Sequence, residues 1–119
     1  MEIVNYLLIG LFAYLMLRQI LPTKGVKQIT TSELKNSLND HTKQYIDVRT
    51  VGEFTGRNIK GFKNIPLHEL SKQANTLSKE KEVVVICQSG MRSNKASKLL
   101  KKLGFKQVTN VKGGMSAWV

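Results

Sequence analysis

Cysteine and acidic residues are scarce in this chain. It contains one cysteine, so no disulfide can form within it, and its two histidines form no metal-ligand spacing with that cysteine. Eight Asp and Glu residues stand against nineteen Lys and Arg residues, which gives a formal net charge of +11. A basic chain fits an anionic neighbour (membrane lipid, nucleic acid or an acidic substrate), although the charge can also serve solubility. We expect a reducing compartment, no metal and no cofactor.

Long apolar runs are also absent, apart from one at the N-terminus. Residues 3–17, IVNYLLIGLFAYLML, contain Asn5 as their one strongly polar residue, and the flank RQIL brings the segment close to the ~20 residues that cross a bilayer. A buried globular helix would show polar positions on one face. A cleaved signal peptide would need a positive N-terminal region and a small-residue cleavage site. The sequence therefore predicts a transmembrane anchor over residues 1–21.

The charges beside this segment predict its orientation. Arg18, Lys24 and Lys27 all lie on its C-terminal side, and positive flanks favour the cytoplasm. Residues 22–27 read as a linker that begins with a helix-ending proline. We therefore expect a single-pass protein of the cell membrane, with membrane contact through residues 3–21 and a cytoplasmic domain over residues 28–119.

Residues 28–119 alternate between strand and helix patterns. Thr30 precedes Glu33 by three residues, which is a capping box and predicts a short helix. QYIDV, EVVVIC and KQVTNV are short apolar runs, and the β-branched EVVVIC is typical of a strand buried on both faces of a parallel sheet. SNKASKLLKKLG is an amphipathic helix pattern, and GGMSAW begins a terminal helical turn. The pattern predicts an α/β domain with a mostly parallel sheet flanked by helices.

Cys87, the single cysteine, ends the EVVVIC strand and precedes a small polar loop. Ligands of parallel sheets bind beyond the carboxyl ends of strands. Loop N–H groups backed by a helix N-terminus form an anion-binding concavity, and Arg92 adds a permanent cation. Ser93 suits the cap of the helix that follows. These features favour a reactive thiolate, while a buried cysteine that only packs is the alternative.

Three segments of residues 28–119 together resemble the single-domain rhodanese family. They are YIDVRTVGEFTGRNIKGFKNIP, VVVICQSGMRS and LLKKLGFKQVTNVKGGMSAW, in the order and at the spacing of the family's signatures. One position departs from the family pattern, because Asn58 stands where the family usually has the histidine of Gly-His-Ile.

The resemblance implies a thiosulfate sulfurtransferase. Cys87 would take the sulfane sulfur of a donor such as thiosulfate, become a persulfide, and pass the sulfur to cyanide, a thiol or a protein acceptor. Cys87 and Arg92 are the expected catalytic residues. The loop expected to hold the persulfide comprises Gln88, Ser89, Gly90, Met91 and Ser93. Asp47, Arg49 and Glu53 are expected to support the loop, with Glu53 as a candidate partner of Arg49.

Three other functions compete with sulfur transfer. A membrane-tethered interaction module without catalysis is the first, although such a module would be expected to lose the cysteine. A phosphatase or arsenate reductase is the second, but four residues separate Cys87 from Arg92 and the phosphatase-type loop has five, so the smaller loop favours a single sulfur. Nucleic acid is not the expected partner, because Lys95, Lys98, Lys101 and Lys102 fit a solvated helix face and no aromatic run accompanies them.

Overall fold

The computed structural model describes residues 2–20 and 24–119. Helix α1, Glu2–Ile20, covers the apolar N-terminal run, and its large apolar side chains up to residue 17 are exposed. Within the described ranges, no helix combines the length and the apolar character needed to span a bilayer. The predicted transmembrane anchor is therefore not supported. Pro22, predicted to end the helix, lies outside the described residues.

Five short strands form one sheet, and every neighbouring pair is parallel, as the sequence predicts. The order is β1-β5-β4-β2-β3, so the strand that ends at the cysteine is central. β1 and β3 are not apparent in the sequence, since they are only three and two residues long. The bounds are β1 Lys27–Ile29, β2 Gln44–Asp47, β3 Lys63–Asn64, β4 Val83–Ile86 and β5 Val108–Val111.

Five further helices connect and cover the strands. The capping box predicted at Thr30 and Glu33 is present, and a second one occurs at Thr50 and Glu53. The segment LHELSKQANTLS has helical spacing but forms one α-helical turn between two 3₁₀ turns. The helices are α2 Thr31–Ser37, α3 Val51–Gly56, α4 Leu70–Gln73, α5 Met91–Lys102 and α6 Gly114–Ala117.

The central strand β4 supplies the core on both faces of the sheet. Val83 and Val85 belong to the cluster that includes Leu100 of α5, and Cys87 continues this face. Val84 and Ile86 belong to the opposite cluster. Side chains alternate across a strand, so full burial of all four β4 residues requires helices on both sides. The fold thereby places Cys87 at the carboxyl end of its most buried strand.

Candidate active site

The Cys87 sulfur lies at the centre of a short loop. The backbone N–H of Gly90 donates to Sγ at 2.9 Å, and the thiol lies 3.3 Å from the Ser93 hydroxyl oxygen. Gly90 adopts a φ of +108°, a conformation that L side chains rarely take, where the loop joins the helix that follows. Cys87 itself is fully buried. The loop therefore surrounds the sulfur with short-range hydrogen-bonding groups.

Helix α5 begins directly at this loop, with Gly90 as its N-cap. Met91 and Arg92 are consequently the first residues of the helix, and Ser93 is the third. The prediction that Ser93 caps the helix is wrong, since its hydroxyl instead donates to the Gly90 carbonyl at 3.1 Å and accepts from Cys87. The helix N-terminus is thus close to the sulfur, where its dipole favours negative charge.

Arg92, the second residue of α5, pairs with Glu53 of α3. Nη1 and Nη2 of the guanidinium contact Oε1 and Oε2 of the carboxylate at 2.6 and 3.0 Å. This hydrogen bonding is the main reason that the pKa of Glu53 falls to about 2, and it raises the pKa of Arg92. The proposed pairing of Glu53 with Arg49 is wrong, because the Glu53 carboxylate pairs with Arg92.

Arg49 and Asp47 form a separate, buried ion pair at 2.8 Å, with side chains 3% and 1% exposed. The Arg49 guanidinium also donates to the backbone carbonyls of Glu53 and Arg57 at 3.4 and 2.6 Å. A further contact, 3.4 Å long, reaches the side-chain carbonyl of Gln88 in the cysteine loop. Arg49 therefore connects the end of β2 to both α3 and the loop.

The last helix, α6, supports the loop from behind, a role that the sequence analysis did not assign. The N–H groups of Met115 and Ser116 donate to the carbonyls of Cys87 and Gln88 at 2.8 and 2.9 Å. A Cβ on Gly114 would lie 2.2 Å from the Cys87 carbonyl oxygen, so only glycine permits this approach. In the sequence, the pair Gly113-Gly114 predicts a turn, but it does not show that this turn contacts the cysteine loop.

Three other residues of interest are the substituted position Asn58 and two exposed residues near the cysteine, Ser89 and Met91. Asn58, which replaces the family histidine, donates to the Phe54 carbonyl at 2.8 Å and so closes the end of α3. Ser89 and Met91 are exposed at the rim of the loop. A cavity of ≈ 300 Å³ lies at the opposite, amino-terminal edge of the sheet and is lined by Lys27 and Glu82, among others. Within the described ranges, no three His, Cys, Asp or Glu residues are grouped to bind a metal.

Chemically, the site presents one thiol next to the N–H of Gly90, the hydroxyl of Ser93 and the N-terminus of α5. Preorganised donors of this kind stabilise negative charge that develops on the bound atom. Because α5 begins at Met91, the enclosed space is a loop of only three residues, Gln88 to Gly90, after the cysteine.

Comparisons with known proteins agree with this geometry. Residues 30–119 match the Rhodanese-like domain family. The chain is 38% identical over 95 residues to "Putative sulfur carrier protein YrkF" of Bacillus subtilis, covering 79% of this chain and only 51% of that protein. It is 42% identical over 94 residues to "Putative sulfurtransferase YtwF" of the same organism, covering 78% and 90% of the two chains.

A solved structure shows the same fold. The crystal structure of a rhodanese-like domain protein from Staphylococcus aureus has a TM-score of 0.73 and 37% sequence identity, and the match covers 79% of this chain and 92% of that one. The family match spans most of the chain, and the cysteine loop lies within it. The chain therefore belongs to the rhodanese-like domain family.

Proposed function

We propose that the chain is a sulfurtransferase that carries a sulfane sulfur on Cys87 as a persulfide. One observation carries the proposal: the Cys87 sulfur lies in a loop that donates an N–H to it at 2.9 Å, at the N-terminus of α5. A group placed there is stabilised as an anion, which is the reactive form of a thiol. The sulfurtransferase and sulfur-carrier names of the two Bacillus relatives support the same chemistry.

With thiosulfate as donor, the first step is a displacement at sulfur. The Cys87 thiolate attacks the outer sulfur, a new Sγ–S bond forms, and the S–S bond of thiosulfate breaks. The electron pair of that bond leaves with sulfite, and the enzyme holds a persulfide anion. The N–H of Gly90 and the first turn of α5 stabilise this anion, while Arg92 helps to orient the donor.

The second step returns the cysteine to its thiolate form. A nucleophile attacks the outer persulfide sulfur, and the electron pair of the Sγ–S bond returns to Cys87. Cyanide leaves as thiocyanate, and a thiol leaves as a new persulfide. Because Cys87 is fully buried, both partners must present a narrow reacting end, which a terminal sulfur, a cyanide ion or a thiol on a small molecule or a protein can do.

Intact-mass analysis of the full chain tests the proposal. Thiosulfate treatment without reductant should add one sulfur atom, cyanide should remove it, and a Cys87→Ser variant should gain none. If the wild type gains no sulfur from thiosulfate or any other sulfane donor while its thiol still reacts with an alkylating reagent, the proposal fails. A non-catalytic interaction module would then be the better description.

We also propose that the domain works in the cytoplasm, where a single unpaired thiol stays reduced. Membrane association through residues 3–21 stays a prediction of the sequence. Fractionation of cells that express the chain tests both points, with thiol labelling by a membrane-impermeant reagent as the measure of compartment. Labelling of Cys87 in intact cells after mild unfolding of surface proteins would contradict the cytoplasmic placement.

A further inference from the structure

We propose that Glu53 sets the charge selectivity of the site by compensating Arg92, so that a sulfane donor with two negative charges is disfavoured relative to one with a single charge. This inference rests on the proposed sulfur transfer. It assigns Glu53, expected from the sequence only to support the loop, a role as a specificity-determining residue that acts through Arg92.

The geometry of the Arg92–Glu53 pair is the first observation. Both terminal nitrogens of the guanidinium are engaged by the two carboxylate oxygens, at 2.6 and 3.0 Å. The two side chains are 35% and 34% exposed, so the pair lies at the surface of the site and not beneath it. Arg92 is the second residue of α5, and α5 begins at the cysteine loop. A donor that approaches the sulfur therefore meets the cation together with its carboxylate.

The second observation is that the other arginine at the loop is compensated too. Arg49 contacts Gln88 but is paired with Asp47 at 2.8 Å. Arg49, which contacts the loop, and Arg92, in the first turn of α5, thus each form an ion pair without net charge. The Gly90 N–H can stabilise one anionic sulfur, and neither ion pair adds net positive charge for a second negative charge on the donor.

This arrangement separates donors by their charge. Thiosulfate carries two negative charges, and the one on its sulfonate group remains outside the loop when the outer sulfur enters. Because Arg92 is in the first turn of α5 beside the cysteine loop, this charge would approach the Arg92–Glu53 pair, where a partly exposed carboxylate would repel it with a strength that solvent only partly screens. The chemical class favoured by the site is a sulfane donor whose sulfur is attached to an organic group, with one negative charge in all.

Thiosulfate and methanethiosulfonate are a matched pair of probes. Both present a terminal sulfur bonded to a sulfonyl sulfur, but a methyl group in the second replaces one charged oxygen of the first. In each case the Cys87 thiolate forms an Sγ–S bond as the donor S–S bond breaks, and the electron pair leaves with sulfite or with methanesulfinate. The quantity to measure is kcat/KM for thiosulfate divided by kcat/KM for methanethiosulfonate, with cyanide as acceptor.

Glu53→Gln should raise this ratio by roughly three- to tenfold, as expected when one partly screened charge is removed near the donor. Glutamine keeps the oxygen that accepts from Thr50, so the helix cap can remain. Glu53→Asp keeps the charge and should leave the ratio within about twofold of wild type, on the same Coulombic argument. An unchanged ratio in Glu53→Gln would overturn the inference.

Glu33→Gln is the control. Glu33 accepts a hydrogen bond from Thr30 in the same kind of capping box, so this substitution removes the same charge at a residue that does not contact the cysteine loop. It should leave the ratio unchanged, and an equal rise would show that only overall charge matters. Val51→Asp is a second variant that leaves the Glu53 bonds intact, since Val51 is exposed in the first turn of α3. It should lower the ratio, and a ratio that stays level or rises contradicts the inference.

The outcomes also separate this inference from the proposed function. If neither these probes nor any other sulfane donor adds a sulfur to wild-type Cys87 while its thiol still reacts with an alkylating reagent, sulfur transfer itself is wrong. If both probes add a sulfur and the ratio does not respond to Glu53→Gln, sulfur transfer stands and the charge-selectivity role of Glu53 is wrong.

Discussion

Two glutamates with the same local role show what a single residue does in this fold. Glu33 and Glu53 each occupy the third position of a helix and accept from the backbone and hydroxyl of a threonine three residues earlier. The pKa of each carboxyl is lowered, for Glu33 chiefly by Thr30 and for Glu53 chiefly by Arg92. The cap is therefore a local property, and the ion pair is a property of the fold.

Acidification should weaken the fold partly through Glu53. Its pKa in the folded chain is about 2, below the reference value of 4.5, so the carboxylate contributes stability above pH 4.5 that is lost as pH falls toward 2. Because the Glu53 side chain is 34% exposed, solvent screens the ion pair, and we expect the carboxylate to contribute only about 1 kcal/mol to the free energy of unfolding. Urea unfolding of wild type and Glu53→Gln at several pH values measures this. The difference between them should shrink toward pH 2, and a constant difference would contradict the assignment.

Arg49 should be more sensitive to replacement than any surface arginine. Arg49→Met leaves the Asp47 carboxylate buried without its cation and should lower the free energy of unfolding by about 3–5 kcal/mol. It should also slow sulfur loading, because the contact with Gln88 is lost. A double variant, Asp47→Asn with Arg49→Met, should be more stable than Arg49→Met alone. Urea unfolding measures the stability of the single and the double variant, and intact-mass analysis measures sulfur loading. Equal stability of the two variants would contradict the argument.

At the scale of elements, the shortest pieces of structure position the site. α6 is four residues long, yet its first N–H groups bind the carbonyls of Cys87 and Gln88. α3 is six residues long, and it presents Glu53 to Arg92 of α5. These contacts are made by backbone groups and by residues near helix ends, so neither depends on a long amphipathic pattern.

Gly114→Ala should disrupt the cysteine loop. An added Cβ would meet the Cys87 carbonyl oxygen at 2.2 Å, so backbone atoms must move and sulfur loading should fall at least about tenfold, because small displacements of reacting groups have large effects on rate. Gly61→Ala is the control, since Gly61 also has a positive φ, of +102°, but nothing lies within 4 Å of its added Cβ. It should cost about 1–2 kcal/mol of stability and keep activity. If sulfur loading fell equally in the two variants, the loss would come from the strained backbone conformation and not from the contact between Gly114 and the Cys87 carbonyl.

At the scale of the whole molecule, strand order brings the site together. Asp47 of β2 is in register with Ile86 of β4, so the ends of these strands lie side by side and Arg49 can contact Gln88. The two core clusters draw their residues from position 26 onward, and α1 contributes none of them. The sheet and its loop thus form a unit whose apolar core is complete without the N-terminal helix.

Removal of residues 1–23 should leave a folded and active domain. The apolar residues of both core clusters remain, so we expect the midpoint of urea unfolding to change little and sulfur loading of Cys87 to persist. Intact-mass analysis and urea unfolding of the shortened and full chains provide the comparison. A shortened chain that is unfolded, or that no longer accepts sulfur, would show that α1 supports the domain.

Local patterns in the sequence determined several elements of this protein. The β-branched run before Cys87 predicts β4, the Thr30–Glu33 spacing predicts α2, and the alternation of strand and helix predicts a parallel sheet with the cysteine at its carboxyl edge. Each of these follows from contacts between near neighbours or from the burial of one segment. The position of Cys87 at a strand end and the family resemblance could therefore be identified without coordinates.

Only the tertiary structure decided which residues of the site pair with or contact one another. Glu53 and Arg92 are 39 residues apart, and no local pattern tells whether Glu53 pairs with Arg92 or with the nearer Arg49. β1 and β3 are too short to show a period, and the contact of Gly114 with Cys87 is between backbones. Such contacts depend on strand order and on where helices begin. The sequence alone thus determined β4, α2 and the place of Cys87 at the carboxyl end of a strand. The fold decided the electrostatic partners, because these partners are distant in sequence and meet only when the sheet is assembled.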